Sequence, residues 1–84
     1  MVKVVEVVLE LEATDFMNGA KATRGRVVRE HGSAKVTCQV EDRIKGLKEP
    51  VGDFSHVDEA RAALLKYWDA CDAELEAGSS WQSK

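Results

Sequence analysis

The chain holds two histidines and two cysteines, His31, Cys38, His56 and Cys71, and metal or nucleophilic chemistry would have to begin with these side chains. A zinc site of the Cys₂His₂ kind brings its ligands as close pairs, C-x₂₋₄-C and H-x₃₋₅-H, because each pair comes from one tight turn or one turn of helix. No two of the four residues have that spacing. Cys38 and Cys71 fall instead on faces that read as core, where a free thiol packs as a small hydrophobe. A cysteine or serine nucleophile also needs a neighbouring base held by a third group. The sequence has no G-x-S-x-G, P-loop or G-x-G-x-x-G segment. Acids are plentiful, but a chain this small has no element to spare for walling a catalytic cavity around a chosen pair. The expectation is a protein that is not an enzyme and has no metal and no cofactor.

Charge offers more than catalysis does. The formal net charge of −3 hides a division along the chain. Residues 1–20 carry one lysine against four acids, residues 21–48 eight cations against three acids, and residues 49–84 three cations against eight acids. The basic middle contains Arg24, Arg26, Arg29, Lys35, Arg43 and Lys45, on or beside one expected hairpin. A two-stranded ribbon of that kind suits a nucleic-acid groove, with the cations on phosphates. Against this, the sequence pI of about 5.3 is far from that of a basic domain. The strands also carry no aromatic pair for base stacking. The acidic end gathers Asp58, Leu65, Asp69, Asp72 and Glu76 on one helical stripe. The helix dipole favours cations at a C-terminal end by roughly 0.3–1 kcal/mol each. An acidic end is therefore not a choice made for stability, and it invites a basic partner with Leu65 as the apolar centre of the contact.

The elements that must position these residues can be read from periodicity. Ser55 to Gly78 is the one helix. Val57, Ala60, Leu64, Tyr67, Trp68, Cys71 and Leu75 lie within about 100° of arc, an apolar stripe with Trp68 inside it. Ser55 is the expected N-cap, Asp58 imitates a capping box, and Gly78 supplies the left-handed end. Val2 to Glu12 alternates as a half-buried strand, with Val5, Val7, Leu9 and Leu11 toward the helix and Glu6, Glu10 and Glu12 away from it. Ala13 to Lys21 is a connection with a hairpin signal at Asn18-Gly19, and Phe16 and Met17 beside it are expected to fold back over the sheet end. Ala22 to His31 and Ala34 to Lys45 are two more strands. A two-residue turn at Gly32-Ser33 would set Glu30 against Lys35 and Arg24 against Glu41; a turn at His31-Gly32 is the other register. The poor alternation of the second strand, with Val27 and Val28 adjacent, calls for a bulge, placed at Gly25. Gly46 to Phe54 is a linker in which Leu47, Val51 and Phe54 cap the open end of the core.

The fold expected is α+β in the order β-β-β-α: a three-stranded antiparallel meander packed by one long C-terminal helix. Residues 1–78 form a single domain and 79–84 a flexible tail. Hydrophobic residues make up 44% and charged residues 32%, an ordinary globular balance. No apolar run approaches the ~18–20 residues of a membrane span, Met1-Val-Lys runs straight into a charged alternating segment unlike a leader, and two unpatterned cysteines suit a reducing compartment. A cytoplasmic location follows as the expectation. One helix does not easily cover three long strands, so a homodimer through the sheet edge or the uncovered face is in view. The function expected is a protein-binding module acting stoichiometrically through its acidic helix on a partner with a basic surface: an adaptor, an antitoxin-like partner, or an inhibitor of the anti-defence kind that mobile elements encode. The alternative is nucleic-acid binding through the basic hairpin.

Overall fold

The computed structural model describes residues 2, 4–16, 22–44 and 46–83. Met17, the Asn18-Gly19 turn signal and Lys45 lie outside them. The elements run β1 (Val5–Ala13), β2 (Thr23–Glu30), β3 (Val36–Val40), β4 (Asp42–Ile44), α1 (Val57–Glu76) and β5 (Trp81–Ser83). The first three strands form one antiparallel sheet in the order β1-β2-β3, and the single long helix follows them, an α+β fold of the β-β-β-α arrangement. A second small sheet joins β4 to β5.

The helix buries Ala60, Leu64, Tyr67, Trp68, Cys71 and Leu75, the stripe that helical periodicity selects, with Val57 partly buried against the same core. It packs chiefly on β2, β3 and β4, with β1 to its side. Its start differs from expectation. The N-cap is His56 in extended conformation, with no side-chain bond to the first turn, and not Ser55. At its end, Gly78 takes φ +104° as the chain leaves the helix. The Gly78 N–H donates to the Leu75 carbonyl and the Ser79 N–H to that of Glu74, a Schellman closure.

The β2–β3 register pairs Gly25 with Val40 and Arg29 with Val36, which is the register of the Gly32-Ser33 alternative. The tight bond of the turn, Ser33 N–H to the Glu30 carbonyl at 2.9 Å, spans His31-Gly32, with Gly32 at φ +85°. Glu41 N–H donates to the Arg24 carbonyl at 2.9 Å.

Three strand expectations change. The irregularity lies in β1, between Val7 and Leu9, and not at Gly25. Val7 is paired with Val28 and Leu9 with Val27, so Val8 is the extra residue that lets adjacent valines of β2 both find partners. The bulge reverses the faces of β1 partway along. Leu9, Leu11 and Ala13 pack on the core, whereas Val5 and Val7 face away from the helix and are exposed, and Glu6 stands opposite Arg29. The expected third strand, 34–45, is two strands. After the bend at Glu41 the chain leaves the main sheet, and β4 pairs with β5 through Asp42 and Ser83, Arg43 and Gln82, and Ile44 and Trp81. The stretch 79–84, expected as a flexible tail, therefore carries a strand whose Trp81 packs on the core. In the linker, Leu47 and Phe54 pack on the core but Val51 is exposed. Phe54 also exchanges two backbone hydrogen bonds with Val36, 3.0 and 2.8 Å, at the start of the β3 edge.

Candidate functional site

Because α1 sits over β2 and β3, the far end of β1 is left without a helix above it, and a groove of about 530 Å³ opens there. One wall is the end of β1 and the residues after it, Leu11 to Phe16; the other is the helix, through Leu65, Trp68, Asp69 and Asp72. The local sequence explains each wall. Leu65, Asp69 and Asp72 are spaced i, i+4 and i+7, so they share one helical stripe beside the buried one. On the strand side, Asp15 adopts φ +64°, a left-handed conformation that aspartate tolerates better than most residues. The chain turns there, and Phe16 goes inward, 7% exposed, with its ring edge-on to Trp81 at 5.0 Å and 82°. Phe16 thus folds back over the sheet end as expected.

The result is an apolar floor of Leu11, Phe16, Leu65 and Trp68 with carboxylates on both walls, Asp15 on one and Asp69 and Asp72 on the other, while the Glu12 carboxylate turns to Arg24 on the outer face of the sheet. The helix stripe is thus only partly a groove wall. Leu65, Asp69 and Asp72 line it, whereas Asp58 and Glu76, both exposed, lie at the two ends of the helix and outside it. Glu12, Asp15 and Phe16 were not foreseen as lining residues. Their signal was a polar-acidic-aromatic run, Thr14-Asp15-Phe16, at the end of a strand.

The basic residues are dispersed. Arg24 and Arg26 lie on the face of the sheet away from the helix. There Arg24 Nε meets Glu12 Oε2 at 3.4 Å and Arg26 Nη2 meets Glu10 Oε2 at 3.4 Å. Arg29 is on the opposite face, half-buried. Lys35 is exposed in the connection before β3, where its N–H donates to Ser33 Oγ. Arg43 belongs to the second sheet, 3.9 Å from Glu49. Among the described residues, the hairpin cations therefore form no single stripe.

The thiols and the tyrosine are held in their neutral forms. Burial pushes the Cys38 thiol up, and its Sγ donates to the Ala60 carbonyl at 3.3 Å. Burial likewise raises Cys71, opposed by the Tyr67 hydroxyl. Tyr67 is pushed far above the usual phenol range by burial first and by the Cys71 thiol second, and it donates to the Asp42 carbonyl at 3.3 Å. Such groups are poor nucleophiles and poor metal ligands, since both roles need the deprotonated form. Among the described residues, no three of His, Cys, Asp and Glu come together as a metal cluster would require.

No family model matches the chain, and comparison with curated proteins and with solved structures finds no significant match. Any functional reading rests on the groove itself.

Proposed function

We propose that this protein is a non-catalytic binding module that takes a basic segment of a protein partner into the groove between β1 and α1. The observation that carries the reading is the pairing of an apolar floor, Leu11, Phe16, Leu65 and Trp68, with carboxylates on both walls. Lysine and arginine match that pattern, because their methylene stems cover apolar surface while their charged heads reach a polar rim. Carboxylates on two sides give a cation partners in more than one direction, which favours arginine and its forked donors. Asp69 and Asp72 set two acids on one stripe of the helix, and a cationic partner is drawn in by their charge. The volume suits a few side chains and not a folded domain. The partner would therefore insert an extended or helical segment and act one-to-one, as an adaptor, antitoxin-like protein or inhibitor does.

Support for the groove over the hairpin comes from how the cations are used: Arg24 and Arg26 already have carboxylates beside them, on the face away from the helix. The test is capture from an extract of the source cells, with and without nuclease, using wild type and Asp69→Lys/Asp72→Lys. A stoichiometric protein that survives nuclease and disappears with the double reversal supports the groove. Nuclease-sensitive capture that the reversal leaves intact favours nucleic acid on the hairpin.

A further inference from the structure

We infer that the N-terminal half of β1 is a self-association edge, and that two copies of this chain join there in antiparallel register about Glu6. β1 is an outer strand of the main sheet. Unlike the β3 edge, which meets Phe54 at Val36, it has no strand beside it among the described residues. The Val4 carbonyl accepts from the His31 N–H at 2.9 Å, so it faces β2. Backbone groups alternate along a strand, and those of Val5 and Val7 therefore face the open edge.

The side chains report the same missing neighbour. Val7, Val28 and Thr37 are consecutive partners across one face of the sheet. Val28, with a strand on each side, is 3% exposed; Val7, with a strand on one side only, is 56% exposed. Val2, Val4, Val5 and Val8 are exposed with it. An apolar edge without proline or a run of charge is a template for another strand.

The sequence of this edge points to a second copy as the occupant. Residues 4–8 read Val-Val-Glu-Val-Val, the same in both directions. A two-fold contact requires a surface to match itself, and an antiparallel copy centred on Glu6 sets Val5 against Val7 and Val4 against Val8, twice over. The outward backbone groups of Val5 and Val7 then face each other. At the centre Glu6 meets Glu6, which alone would be unfavourable. Each Glu6, however, stands opposite Arg29 of its own chain, whose buried Nε has no hydrogen-bond partner. The row across the joint is Arg29, Glu6, Glu6, Arg29, neutral in sum. The bulge at Val8 confines the flat stretch to these residues. The exposed valines offer on the order of 400 Å² of apolar surface per copy, about half of a standard stable interface, so the dimer is concentration-dependent.

Sedimentation equilibrium from ~10 μM to ~1 mM should show a reversible monomer–dimer equilibrium, weakened at least about tenfold by Val7→Lys. Val7 is exposed, so that variant keeps its far-UV circular dichroism. Under mild oxidation Glu6→Cys should cross-link to itself, since a central non-hydrogen-bonded pair has Cα atoms ~4.5 Å apart. Glu10→Cys, displaced from the two-fold, should not. A protein monomeric throughout the range overturns the inference. So does a dimer that tolerates Val7→Lys and yields no Glu6→Cys cross-link.

Discussion

A Cβ placed on Gly25 would stand 2.8 Å from Cζ2 of Trp68, closer than any real side-chain contact allows. The same atom would be 3.0 Å from Cδ2 of Leu64. Gly25 is therefore the seat on which the helix rests its largest side chain, directly against the middle strand. Its φ is not in the left-handed region, so the requirement is one of space and not of backbone freedom. Gly25→Ala should destabilise the fold by ~1–3 kcal/mol through overpacking, read as a lower urea midpoint with unchanged slope.

Trp68 is the complementary half of that contact, buried against Gly25 and itself part of the groove floor. Trp68→Ala should cost ~3–5 kcal/mol, a large share of the 5–15 kcal/mol typical of a domain. A loss below ~1 kcal/mol by urea denaturation would mean that the helix is not anchored through this residue.

The helix and its seat differ in how plainly the sequence announces them. The buried stripe from Ala60 to Leu75 was legible because a 3.6-residue period has few other readings. Gly25 was noticed for the wrong reason: a strand glycine marks either a bulge or a close approach, and only the position of Trp68 distinguishes the two. The valine run 4–8 hid the true bulge, since a slip of one residue there exchanges one valine for another. β5 was invisible because three residues of strand pair only with β4, about forty positions away in the chain, and no local pattern records such a contact. The groove was half legible. Periodicity placed Leu65, Asp69 and Asp72 together, but the facing wall depends on Asp15 turning the chain and on the helix lying to one side of β1.

Cys38 and Cys71 should react slowly with an aromatic disulfide reagent at pH 8, and at the rate of free thiols after denaturation. Burial holds both thiols, and Tyr67, above their ordinary pKa values, so the folded protein keeps protons that the unfolded chain releases first. The stability contributed is complete below about pH 9, the ordinary thiol value, and falls as pH rises past it. Denaturation midpoints should be flat from these groups at neutral pH and decline in the alkaline range.

The ion pairs of the outer face should matter little to stability. Arg24 and Glu12 are both more than half exposed, and such pairs contribute ~0–1 kcal/mol. Glu10→Gln, which leaves the groove intact, should shift the urea midpoint marginally.

The central claim is that binding resides in the groove between β1 and α1, and a comparison of two charge reversals under one capture assay tests it most directly. Asp69→Lys/Asp72→Lys and Arg24→Glu/Arg26→Glu are each confirmed folded by circular dichroism and then used, beside wild type, to retain the nuclease-resistant partner. The groove reading predicts that the helix reversal abolishes retention and the hairpin reversal leaves most of it. Retention kept by the helix variant and lost by the hairpin variant would contradict it.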